Sequence, residues 1–220
     1  PLALNDNPAY RYFGHRLNTE YRESIFVGYR YYEKAGKNVL FPFGFGLSYT
    51  NFEFKDLKLS HSVMQDDQIL ELTLKVKNTG IYDGKEVIQV YIAPPPSSIY
   101  KPVKELRAFK KIFLKVGEEE EVTFKLGKRA FAYWNVNLKD WHVESGAYQV
   151  LVGNSSKDIH LQAEIAIQST QPTAIVPDYT AIAPGYYNLA ADPLEIPVDQ
   201  FETVLGAKIS RNEDGQPFTV

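Results

Sequence analysis

The chain has 220 residues, of which 44% are hydrophobic and 23% charged, and its formal net charge is -3. This is an ordinary globular balance, and the slight acidity argues against a nucleic-acid-binding face. With no cysteine there are no disulfides, thiol nucleophiles or thiolate metal sites, no apolar run approaches the roughly 18 residues of a membrane span, and no signal-peptide pattern is visible.

Residues 1–39 are polar and rich in tyrosine. Tyr21–Tyr32 alternates weakly around Gly28, which predicts a short strand or an extended segment, and nothing here closes a core alone. The first residue is Pro1 and the only methionine is Met64, so the sequence reads as a piece of something longer or as a processed chain. Next comes Leu40-Phe41-Pro42-Phe43-Gly44-Phe45-Gly46-Leu47-Ser48-Tyr49-Thr50-Asn51-Phe52. Its glycines and proline exclude a regular helix, and its aromatics make it too apolar for an ordinary loop. It reads as a buried or semi-buried connector, a seam in which glycines turn the backbone and rings anchor it.

Beyond the seam the texture changes to alternation. Leu70, Leu72, Leu74 and Val76 interleave with Glu71, Thr73, Lys75 and Lys77, the pattern of a half-buried strand. Val122, Phe124 and Leu126 repeat it, as do Tyr148, Val150 and Val152, and then Ile159 through Ile167. Further strands are predicted near 52–59, 86–93 and 106–115. Turn residues separate them, as in Asn78-Thr79-Gly80, Asp83-Gly84 and Val116-Gly117-Glu118. About seven short strands with such punctuation predict a mainly β fold, an antiparallel β-sandwich of immunoglobulin or fibronectin type III kind. Residues 169–220 are proline-rich and read as an extended tail. One short helix is predicted from about Val198 to Leu205, with Pro197 before it and Gly206 as its stop.

Motifs for chemistry are few. Gly44-Phe45-Gly46 lacks the third glycine of a dinucleotide fingerprint and precedes a strand instead of a helix. His15, His61, His142 and His160 show no metal-ligand spacing. Glu118–Glu121 could suggest glycosidase carboxylates, yet a run beside a turn is usually a solvated edge. Asn154-Ser155-Ser156 matches a glycosylation acceptor, relevant only in a secreted eukaryotic protein. Trp134 and Trp141 are candidate sugar-stacking residues, although packing is the commoner use of Trp. Tyr100, in the loop Pro94-Pro95-Pro96-Ser97-Ser98-Ile99-Tyr100, is a third candidate sugar contact, with a plain strand connection as the commoner reading.

Taken in order, several segments resemble the C-terminal part of family 3 glycoside hydrolases of the β-glucosidase type. They are Tyr21–Tyr32, Phe41–Tyr49, Asn78-Thr79-Gly80, Gly84-Lys85-Glu86-Val87, Gln89-Val90-Tyr91, Pro102–Leu106, Phe109-Lys110-Lys111, Trp141-His142-Val143 and Gly146–Gly153. Together they cover about residues 8–168. Ser24 stands where that family usually has Gly. The tail is similar to extensions in some bacterial members.

The resemblance implies a parent enzyme with a barrel domain, an α/β domain and a fibronectin type III-like domain. It also implies retaining hydrolysis of β-glucosides through a covalent intermediate, with the Asp nucleophile and the Glu acid/base in the first two domains. Neither motif occurs in this sequence, so no catalytic residue is carried over, and no cofactor or metal is expected. Residues 1–49 would be the end of the α/β domain and the linker, 50–168 the fibronectin type III-like sandwich, and 169–220 the tail. The expected partners are the remaining catalytic domains and, through them, a β-glucoside; nucleic acid and membrane are not expected. The alternative is a freestanding module that binds carbohydrate or protein. A self-sufficient enzyme is not expected, and β-xylosidase stays open beside β-glucosidase.

Overall fold

The computed structural model describes residues 1–12, 19–191 and 193–209, so His15, one of the four histidines without metal-ligand spacing, lies outside the described residues. The chain divides into two compact units. One comprises residues 41–97 and 101–177, the other residues 1–40, 98–100 and 178 onward. Residues 41–49 and 169–177 pack with the strands, while the later tail packs with residues 1–40.

The first unit is the β-sandwich. Its smaller sheet holds β1 (Phe52–Leu59), β3 (Leu70–Asn78) and β6 (Glu119–Leu126), in the order β1-β3-β6. Its larger sheet holds β2 (Val63–Gln65), β10 (Ile159–Gln168), β9 (Gly146–Gly153), β4 (Gly84–Ala93) and β5 (Glu105–Leu114), in that spatial order. All pairings are antiparallel except β2 on β10. The alternation predicted on β3 is realised. Leu70, Leu72, Leu74 and Val76 are buried, and the register sets Leu72 opposite Phe124 and Leu74 opposite Val122. Val90, Ile92, Val150, Val152, Ile165 and Ile167 face them from the larger sheet in one aliphatic core. Burial of this kind is the main stabilising term for a sandwich.

Seven strands stand where the alternation predicted them. Three short ones were not foreseen: β2, and the hairpin of β7 (Tyr133–Asn135) with β8 (Asp140–His142). Three residues are too few to show a period. At the start of the sandwich, Asn78 of the Asn-Thr-Gly turn is a buried hub. Its Nδ2 donates to the carbonyls of Tyr82 (2.8 Å) and Leu114 (3.1 Å), and its Oδ1 accepts from the Thr50 hydroxyl (2.7 Å) and the Gly80 N–H (3.1 Å). A Cβ on Gly80 would overlap Thr50 and its neighbouring backbone, so glycine is required there.

The second unit is built from segments far apart in sequence. Its α-helices among the described residues are α1 (Tyr29–Lys34) and α2 (Val198–Leu205). The expectation of a short strand or extended segment over Tyr21–Tyr32 is corrected: residues 22–25 form a turn, and α1 follows the N-cap Gly28, whose φ is 58°. Weak alternation suggested extended backbone, but burial of Tyr31 beside Phe26 in this core decides the local conformation. The α2 helix has the predicted bounds and stops at Gly206 in the left-handed region (φ 74°). Phe201 and Val204 pack on the core, whereas Leu205 points outward. Two side chains hold the tail. The Tyr12 hydroxyl accepts from the Ile196 N–H (2.7 Å) and donates to the Ile196 carbonyl (3.3 Å). Arg22 donates to the same carbonyl (2.7 Å) and lies over the Tyr12 ring at 4.4 Å.

Candidate functional site

The aromatic-glycine seam lies on the sandwich unit from Phe41 onward. Gly44 has φ 84°, a backbone state that side chains disfavour, and the turn closes with Phe45 N–H donating to the Pro42 carbonyl (3.0 Å). The turn is fastened through its backbone. The Phe43 carbonyl accepts from Ser156 N–H (2.8 Å), and the Gly44 carbonyl accepts from the Gln89 amide (3.4 Å). Gln89 is itself buried. Its amide also donates to the Asn154 carbonyl, and its Oε1 accepts from the Tyr91 hydroxyl (2.6 Å). This explains why residues 88–92 of β4 are buried on both faces, against the simple alternation of its neighbours. At the other end Thr50 is tied to Asn78.

Between these anchors the side chains face outward. Phe41 is 70% exposed, Leu47 91% and Tyr49 95%, and Phe43 and Phe45 are about half exposed. Phe41 and Phe45 stack on each other with centroids 5.3 Å apart. The backbone is thus held firmly while an apolar row stands in water. A contiguous exposed apolar patch on a well-fastened backbone is the mark of an interaction surface.

The three candidate sugar contacts fall in different places. Trp134 sits on the β7–β8 hairpin, 49% exposed, with its ring T-shaped against Trp141 (5.7 Å, 74°). Trp141 packs on the sandwich core, and the Arg129 guanidinium covers it at 3.4 Å from the ring centroid. Of the two, only Trp134 therefore offers a substantial open face. Tyr100 belongs to the other unit, where four rings surround it: Phe26, Tyr179, Tyr186 and Tyr187, at 5.1–5.9 Å. Burial raises its phenol pKa.

Sequence reasoning missed a buried polar cluster beside the hairpin. Glu144 accepts from the Ser97 hydroxyl (2.8 and 2.9 Å) and forms an ion pair with Lys101. The Lys101 ammonium lies 4.5 Å from the centre of the Tyr133 ring. Burial lowers the pKa of Lys101, and Glu144 opposes that shift. His142 Nδ1 lies 3.0 Å from the Tyr133 hydroxyl and 3.2 Å from Asn135 Nδ2, and its ring also bonds the Gln171 backbone. Burial lowers its pKa, which favours the neutral ring. Asn135 in turn donates to the Ile175 carbonyl (3.0 Å). The cluster fastens Ser97 and Lys101 to the hairpin and to the 170–177 segment. Its signal in the sequence was only the proximity of Trp141-His142-Val143-Glu144, with nothing to mark Lys101 as the partner. Glu118–Glu121 does not form a catalytic carboxylate pair: Glu119 pairs Lys55 at 2.7 Å and Glu120 pairs Lys110 at 3.1 Å along the strand edges.

The fibronectin type III-like domain family matches residues 86–156. Thermostable β-glucosidase B of Acetivibrio thermocellus is 49% identical over 171 residues, which are 77% of this chain and 23% of that protein. An exo-α-(1→6)-L-arabinopyranosidase of Bifidobacterium breve is 39% identical over 194 residues, 88% of this chain and 25% of that protein. The crystal structure of the Bifidobacterium adolescentis GH3 β-glucosidase superposes with a TM-score of 0.74 at 37% identity, covering 86% of this chain and 28% of that one. The chain therefore spans about a quarter of the length of the curated relatives it matches.

Proposed function

Because the chain is homologous to the C-terminal region of glycoside hydrolase family 3 β-glucosidases and carries a fibronectin type III-like sandwich, we propose that it is a non-catalytic part of a retaining glycosidase, which buttresses the catalytic domains. The observation that carries this reading is the exposed row Phe41, Phe43, Phe45, Leu47 and Tyr49. Covering such side chains contributes on the order of 1.5–3 kcal/mol each, before ordering costs. Gln89, Tyr91 and Ser156 hold the backbone beneath the row, so little further ordering is needed when a partner arrives. The partner in this reading is the catalytic portion of the parent enzyme. On the same view the ranges 1–49, 50–168 and 169–220 are the end of the α/β domain with its linker, the sandwich and the tail. The 94–100 loop then contributes to the active-site rim, with Tyr100 held in place by its four neighbouring rings.

The sugar is a β-glucoside in this proposal. The arabinopyranosidase relative makes the terminal sugar the first variable to test. The experiment is a reconstitution with aryl-glycosides. The chain alone should show no turnover, and adding it to the separately produced catalytic portion should raise that portion's melting temperature. Robust turnover by the chain alone overturns the proposal. One observation favours the second reading, a freestanding carbohydrate-binding module: the half-exposed indole of Trp134. Glucan binding by the chain that disappears in Trp134→Ala, with the fold intact, selects that reading.

A further inference from the structure

The outer faces of the two sheets differ in how their charges are matched. On the smaller sheet the lysines are answered by acids of this chain. Lys55 pairs Glu119 at 2.7 Å, Lys75 pairs Asp56 at 3.2 Å and Lys125 pairs Glu71 at 3.4 Å, and the register sets Lys77 between Glu53 and Glu119. The ribbon of β4 and β5 on the larger sheet has no such answer. Ile88, Val90, Ile112 and Leu114 point into the core, so Lys85 and Val87 of β4 and Phe109, Lys111 and Phe113 of β5 share the outer face. The register puts Phe113 opposite Lys85 and Lys111 opposite Val87, which makes the two lysines diagonal neighbours. Among the described residues neither ammonium has a hydrogen-bond or ion-pair partner. Beside them Phe109 is 69% exposed and Phe113 49%. The β5 strand is also the last of its sheet, and from Arg107 to Lys115 the chain carries Arg107, Lys110, Lys111 and Lys115 with no acid, against a net charge of -3 overall. Lysines on a sheet edge commonly deter stray strands, but that task needs no exposed phenyl rings between them.

We propose that the β4–β5 ribbon docks an acidic segment of the parent enzyme's catalytic portion, whose Asp or Glu side chains meet Lys85 and Lys111 and whose apolar side chains cover Phe109 and Phe113. The inference rests on the buttressing role proposed above and extends its surface. The register places Phe109 opposite Gln89, and the Gln89 amide holds the Gly44 carbonyl of the seam, so the ribbon continues the seam's apolar row. Charge gives the occupant its chemistry. Two like charges side by side repel until a counter-charge arrives, and a carboxylate is the group that this face lacks. A neutral or basic segment would cover the rings and leave the repulsion in place.

The test measures binding of the 220-residue chain to the separately produced catalytic portion, with association and dissociation rates followed at about 0.05 M and about 0.5 M salt. Lys85→Gln/Lys111→Gln removes the two ribbon charges, and Lys77→Gln/Lys125→Gln removes two from the smaller sheet as a control of equal net charge. The ribbon variant should bind roughly 10-fold more weakly at the lower salt, mostly through slower association, and the gap should close at the higher salt. The control should bind as the wild type does. Phe109→Ala/Phe113→Ala should bind more weakly at both salt concentrations, because its loss is apolar. Alone, the ribbon variant should melt no lower than the wild type, since it relieves a repulsion. Equal affinity of the ribbon variant and the control, or a loss that salt does not change, overturns the inference and leaves the buttressing role standing. A clearly lower melting temperature of the ribbon variant alone also overturns it, because the lysines are then engaged within this chain. Self-association of the chain that the ribbon variant abolishes overturns it in favour of a second copy. Failure of the wild-type chain to associate with the catalytic portion overturns both.

Discussion

The two units reach stability by opposite routes. The sandwich has a core of aliphatic side chains delivered by strands whose partners follow from alternation. The other unit has a core rich in tyrosine, built from residues 1–40 and a tail that begins at Asp178. Its decisive bonds join residues 174 and 184 positions apart, as Arg22 and Tyr12 bond Ile196. In the sandwich the local pattern and the tertiary contacts specify the same structure. In the other unit no segment has a core until its distant partner arrives, so the chain must close a long loop before any burial rewards it.

The sharpest way to break this contrast is to damage the sandwich. Leu72→Ala should cost about 3 kcal/mol, because it empties a fully buried position between the sheets. Both tryptophans of the chain lie in the sandwich, so urea unfolding followed by Trp fluorescence reads this unit alone. Arg22→Ala should cost about 2–3 kcal/mol by removing a charged donor from the Ile196 carbonyl. Its effect should appear as faster proteolysis of the tail, with the Trp-monitored transition unchanged. If Arg22→Ala shifted that transition as much as Leu72→Ala does, the two units would not be separable in stability.

A pH series separates the units by sign. Folding lowers the pKa of His142 below its ordinary 6.5, so the unfolded chain binds more protons as pH falls. The sandwich should therefore lose stability as pH drops from 6.5 toward the lowered value, and His142→Gln should flatten that slope. Folding raises the pKa of Glu23 above 4.5, so the folded chain holds its proton longer. The other unit should lose stability as pH rises from 4.5 through the raised value, and Glu23→Gln should abolish that loss. Chemical-denaturation midpoints of both units measured from pH 4 to 8 test the two slopes, and slopes of the same sign would refute the assignment.

The smallest expected effect is at Ser24, which has φ 54°, the left-handed region that favours glycine. Ser24→Gly should stabilise the tyrosine-rich unit by roughly 0.5–1 kcal/mol, the relief of strain less the entropy glycine loses. The bond to Tyr100 given up is long, at 3.5 Å. Thermal melting of the variant checks the sign.

Particular residues show what could be read in advance. Leu70 to Val76 revealed both a strand and its buried face, because a period of two is a local property. Pro197 and Gly206 bounded α2, because each acts on its own backbone. Tyr21–Tyr32 misled, since weak alternation over a few residues cannot separate extended backbone from a short helix, and only the packing of Tyr31 chose between them. Of the candidate site, the seam's composition was legible but its orientation was not. Its apolar composition predicted a buried or semi-buried connector, yet the bonds from Gln89 and Ser156 hold its carbonyls and the rings face outward. Lys101 and Glu144, 43 positions apart, left no trace as a pair.

By itself, then, the sequence determined the sandwich: strand positions, inward faces, turns and the likeness to a glycosidase region. These rest on interactions between near neighbours and on motifs in fixed order. The tertiary structure alone decided that the tail folds with residues 1–40, that the seam shows its aromatic side, and that the Glu23 Oε2 finds no donor among the described residues. Each of these depends on which distant groups meet and which find no partner, a question settled by packing and hydrogen-bond satisfaction and not by periodicity.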